Sequence, residues 1–159
     1  MIRDSLGAFH TVAASLALLL GAIMFLRPKG TRSHKLFGYG YVAAMLVTTG
    51  SAFGIYHLTG HFGIFHIAAT VSFLTLVAAM VPATTRRPAK SWLRLHYKYT
   101  GWSYIGLVAA ALSEAAVRLP RAPFWPAVAI GSAVVFGGGG WLITQMEART
   151  VARATTSHV

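Results

Sequence analysis

Five long apolar stretches, separated by short polar turns, make up most of the chain. They run approximately over residues 6–26, 36–58, 62–83, 99–117 and 123–146. Each is long enough to cross a hydrocarbon core, for which ~20 apolar residues suffice. The pattern predicts an all-α integral membrane protein with five transmembrane helices, forming a single domain over residues 1–159. Pro82, Pro88, Pro120, Pro123 and Pro126 lie at or near the ends of these stretches, where proline is tolerated, and no linker interrupts the pattern. Composition agrees. The chain is 55% hydrophobic and 11% charged, and its only acids are Asp4, Glu114 and Glu147. A soluble domain of this size would carry more charge on its surface. The first stretch is expected to be a retained span and not a cleaved leader. It begins with Arg3-Asp4 and ends in Arg27-Pro28-Lys29, without a small-residue cleavage site.

The polar interruptions repeat. Gly7-Ala-Phe-His10 recurs as Gly63-Ile-Phe-His66, at the head of the third stretch. Ser33-His34-Lys35-Leu36 finds a looser echo in Leu95-His96-Tyr97-Lys98, at a similar offset. The chain therefore reads as a tandem two-helix unit, residues 6–58 and 62–117, followed by an extra helix over 123–146. A two-helix unit returns to its starting side, so the copies have one orientation and are related by a pseudo-twofold axis along the membrane normal. On these boundaries His10 and His66 each fall at the fifth residue of a span, and His34 and His96 just before one.

Charge supplies the orientation. Arg27, Lys29, Arg32 and Lys35 follow the first stretch, and Arg86, Arg87, Lys90, Arg94 and Lys98 follow the third. The turn between the second and third, His57-Leu-Thr-Gly-His61, has neither Lys nor Arg. The positive-inside rule gives an N-out, C-in topology in a membrane such as the bacterial inner membrane. The net charge of +11 is thus a topology signal and a contact for anionic lipid. Nucleic acid is excluded as a partner, because the charges lie in short membrane-flanking loops. Small residues at Gly50-x-x-x-Gly54 and Gly137-Gly-Gly-Gly140 predict close helix packing, and the unpaired last helix is compatible with a homodimer.

Histidine carries the candidate chemistry, because an ionisable group inside a membrane is costly and marks a site by default. Cysteine is absent, which removes disulfides, thiolate ligands and c-type haem attachment. Two arrangements compete. In one, His10 and His66 are axial ligands to a haem b held across the pseudo-twofold, with His34 and His96 as a second cofactor or quinone-facing pair. In the other, His10, His57, His61, His66 and Glu114 hold a zinc or copper ion. Each histidine also has a plain structural reading. His34 and His96 lie among cations and suit lipid phosphate or a helix start, and His57 and His61 suit a polar turn. Arg118 stands at i+4 from Glu114, the spacing of a helix-surface ion pair.

The early Phe9-His10, the basic turn Lys29-Gly30-x-x-Ser33-His34-Lys35-Leu36-x-Gly38-x-x-Tyr41 and the second Phe65-His66 together resemble the DUF2306-like family of small predicted bacterial membrane proteins. The likeness covers roughly the first four helices. It implies a multi-spanning membrane protein with these histidines as its signature, and implies no reaction. The layout of histidines on paired helices also looks like small b-type cytochromes of the b561 kind, by architecture alone. The expected function is membrane electron transfer through haem b with a quinone partner. The alternatives are divalent-metal binding or transport, and a non-catalytic assembly subunit.

Overall fold

The computed structural model describes residues 5–56, 60–116 and 123–156, with side chains as far as residue 147. It holds five helices: α1 (Ser5–Leu26), α2 (Arg32–Ala52), α3 (Ile64–Thr85), α4 (Trp92–Ala116) and α5 (Phe124–Thr156). No strand occurs among the described residues. Three segments are long and apolar enough to cross a membrane: Ser5–Leu26, Ile64–Thr85 and Phe124–Glu147. The reason α2 and α4 differ is visible in their sequences. Both start earlier than the apolar stretches do, taking the basic turns into their first two turns of helix. Both also bury polar side chains, Thr48 and Thr49 in α2 and Thr100, Ser103 and Ser113 in α4. Their hydroxyls fold back onto their own helices where they can, as Thr49 Oγ1 does in donating to Met45 O at 2.8 Å.

The chain divides into two compact units, Met1–Leu74 and Thr75–Val159. In the first, α1 and α2 form a hairpin. Lys29 ends α1 by donating Nζ to two carbonyls of its last turn, Phe25 at 2.7 Å and Met24 at 3.3 Å. Burial pushes its ammonium below the usual lysine range. Thr31 then caps α2, accepting from the His34 amide at 3.2 Å. Small and thin side chains let the hairpin close. Ala13, Ala17, Gly21 and Met24 are the buried positions of α1, against Tyr41, Met45, Thr48 and Thr49 of α2. At Gly54 an added Cβ would lie 2.6 Å from Leu6 Cδ2, so any larger residue there would push Leu6 aside.

The second unit repeats the scheme with α4 and α5. Antiparallel order is set by Arg94–Glu147, Trp102–Gly140, Ile105–Gly139 and Ser113–Ser132. A Cβ on Gly139 would stand 2.7 Å from Ile105, and one on Gly101 would stand 2.6 Å from Ile143. Half of each glycine motif is therefore seam. Gly50, Gly137 and Gly138 meet nothing within 4 Å. The other face of α5 is open: Trp125, Ile130, Val134, Trp141 and Leu142 are all exposed.

Candidate functional site

The two repeat-related histidines come to the same end of α2. His10 lies one and a half turns into α1, half-buried, with Nδ1 3.0 Å from Ser51 Oγ. Ser51 has one proton, and its nearest acceptor is the Val47 carbonyl at 2.7 Å. The hydroxyl therefore accepts from His10, so Nδ1 carries the proton and Nε2 keeps a lone pair. That is the state in which a histidine ligates a metal.

His66 is built differently. It is the third residue of α3, where a side chain can reach back to the residue that begins the helix. Its Nδ1 lies 3.1 Å from the Gly63 amide nitrogen. An amide N–H only donates, so Nδ1 is bare and the proton sits on Nε2. His66 is 3% exposed, and Nε2 finds no hydrogen-bond partner among the described residues. Aromatic rings surround the imidazole: Tyr56 at 4.7 Å between centroids, Phe62 at 4.9 Å and Phe53 at 6.3 Å. Phe53 is the C-cap of α2, two residues beyond the Ser51 that holds His10.

The end of α2 thus receives two histidines of opposite polarity. The two do not hold the same position in their helices, since α1 begins at Ser5 and α3 at Ile64. Gly63 opens α3 three residues before its histidine, whereas α1 already runs for five residues before His10.

The histidines of the two basic turns behave alike. His34 Nδ1 donates to the Met24 carbonyl at 3.4 Å, and His96 Nδ1 donates to the Ala79 carbonyl at 2.9 Å. Each ties the start of the second helix of a repeat to the helix before it. They lie inside α2 and α4, not ahead of them, because those helices start at Arg32 and Trp92. His96 precedes the apolar stretch that opens at Tyr99. Desolvation by burial holds its imidazole below the usual histidine range. The bond to Ala79 opposes this shift, and the nearby Arg86 charge adds to it. Arg86 itself, in a left-handed backbone conformation, lies over the Trp92 ring at 4.0 Å.

The remaining candidates are dispersed. His61 is exposed and its Nδ1 donates to Phe62 O at 2.9 Å. His57 and Arg118 lie outside the described residues. Glu114 is half-buried near the end of α4, in the second unit. Among the described residues no three His, Asp or Glu side chains gather as a metal-holding group.

A family model for a predicted membrane protein, DUF2306, matches residues 7–151, a span that takes in every histidine but His158. The chain belongs to the DUF2306 family. No curated protein and no solved structure matches it. A DUF2306 protein is described only as a predicted membrane protein, so the chemistry rests on the residues above. The sequence repeat singled out His10 and His66 as candidates. It missed Ser51, Gly63 and the three rings, whose only signal was their closeness to Gly54 and to the His57–His61 turn.

Proposed function

We propose that this DUF2306 protein is a membrane redox protein, with all five helices crossing a bacterial inner membrane N-out and C-in. Its working site is the end of α2 where His10 and His66 arrive, and its partner is a lipid-soluble carrier of the quinone class. One observation carries the reading: two imidazoles, each near the head of an apolar helix, converge within a few residues of one end of α2. The loop charges support the orientation.

Haem b is the cofactor proposed with it, and it would supply one-electron chemistry when bound. His10 suits an axial ligand, since Ser51 holds its Nδ1 proton and leaves Nε2 basic. His66 does not suit that role as it stands. Its Nε2 carries the proton, and moving the proton to Nδ1 would set it against the Gly63 N–H. A haem held by both histidines therefore does not fit these hydrogen bonds, and a haem on His10 does. His34 and His96 act as braces in this reading.

The absorbance spectrum of the purified protein tests it. Soret and α-bands that vanish in His10→Ala are the expected result. A colourless preparation with stoichiometric zinc or copper would replace redox with metal binding. A colourless, metal-free one would leave an assembly subunit.

A further inference from the structure

We infer that His66 is a hydrogen-bond donor to the carbonyl oxygen of a flat, lipid-soluble ligand of the quinone class, seated against Phe53, Tyr56 and Phe62. The inference rests on the redox reading above and names the ligand of one half of its site. The polarity comes first. Gly63 N–H occupies the lone pair of Nδ1, so the free edge of the ring presents N–H. A free N–H recognises an acceptor and repels a metal ion.

Burial makes that edge informative. A donor shut away from water without a partner bears its full desolvation penalty. Capping α3 uses only Nδ1, and a glutamine or glutamate at this helix position would serve as well. The Nε2–H is left over from the structural role, and it points to something that the chain itself does not provide among the described residues.

The surroundings select the acceptor. The described contacts of His66 are the Gly63 amide and aromatic rings, with no cation among them. A phosphate or carboxylate would arrive charged into an apolar cage, at a high cost in desolvation, whereas a neutral carbonyl would not. Phe62 is 57% exposed, Tyr56 43% and Phe53 42%. In a membrane protein those exposed faces meet lipid, so a ligand dissolved in the bilayer reaches the rings first. A conjugated planar head can stack on such rings, as the imidazole now does on Phe62. A phospholipid ester also offers a carbonyl, but it has no planar face to stack.

The test uses the full chain in phospholipid nanodiscs, a short-chain benzoquinone as probe, and nitrogen-15 NMR of His66. The expected result is a protonated Nε2 and a bare Nδ1, with the Nε2 resonance moving as benzoquinone binds. Binding should weaken about tenfold in His66→Leu, the loss of one buried hydrogen bond. His66→Gln keeps both an acceptor for Gly63 and an N–H donor, so it should bind within about threefold of the parent chain. A protonated Nδ1 would overturn the inference. So would quinone binding that ignores both substitutions, or an Nε2 resonance that changes between ester-linked and ether-linked lipid without quinone. A red preparation whose quinone binding is indifferent to His66 would leave the redox reading standing and remove this one. A colourless preparation that binds benzoquinone through His66 would do the reverse.

Discussion

The pair His34 and His96 and the pair His10 and His66 differ in how alike their members are. At the basic turns, His34 and His96 perform one task, each donating Nδ1–H to a carbonyl of the preceding helix. At the opposite end, His10 donates from Nδ1 and keeps Nε2 basic, while His66 accepts at Nδ1 and presents Nε2–H. The fold-bracing pair is alike, and the pair at the far end of α2 is not. His10 offers a Lewis base and His66 a hydrogen-bond donor, which together suit a site that handles two different groups better than a symmetric clamp on one.

The strongest way to break the parallel between hairpins is to spoil one seam. Gly139→Leu drives a side chain into Ile105, already 2.7 Å from where a Cβ would sit. Overpacking of this kind costs about 1–3 kcal/mol. Thermal unfolding in detergent should show the drop, and Gly137→Leu, at a position with nothing within 4 Å, should show almost none. Equal losses from both would mean that α5 does not pack on α4 along this face.

The braces come next. His96 makes the shorter bond and is held below the ordinary histidine value of 6.5 by burial. His96→Ala should therefore cost roughly 1–2 kcal/mol, and His34→Ala less, since its bond is 3.4 Å long. The sign with pH follows from the shift. The unfolded chain takes up a proton near pH 6.5 while folded His96 resists it. Stability contributed by the neutral ring is then full above that value and declines as pH falls toward the lowered one. Unfolding midpoints between pH 7.5 and 5.5 should fall more steeply for the parent than for His96→Ala.

How much of this was legible beforehand depends on what each residue answers to. The five helices were readable because apolar length is a property of the chain itself, and sequence repetition likewise drew attention to His10 and His66. The tautomers were not, because they depend on partners set by packing: Ser51 is 41 residues from His10, and Gly63 matters only because α3 happens to start there. Hydropathy alone does not single out α2 and α4 as spans. Their buried threonines and serines look like breaks in an apolar run, yet they are the faces turned inward.

A smaller effect sharpens the outer contrast. Ser51→Ala removes the acceptor of the His10 Nδ1 proton and should cost about 0.5–1.5 kcal/mol. Its value lies in the NMR readout. His10 should lose its single tautomer while His66, held by Gly63, keeps Nε2 protonated. If both rings changed together, the two histidines would be coupled directly and the independence of their hydrogen bonds would be wrong.

The smallest expected change concerns a feature that the first hairpin lacks. Between residues 5 and 74 there is no acid at all, whereas α4 and α5 are joined by Arg94 Nε to Glu147 Oε1 at 2.8 Å. The arginine side chain is 64% exposed and the glutamate 20%, so solvent screens most of the attraction. Arg94→Gln should lower stability by no more than about 0.5 kcal/mol at low salt, and by less as salt rises. The seam of Ile105 and Gly139 holds the helices together whether or not the pair is present. A loss comparable with that of Gly139→Leu would reverse this ranking, making the ion pair the lock of the second hairpin and the glycine seam secondary to it.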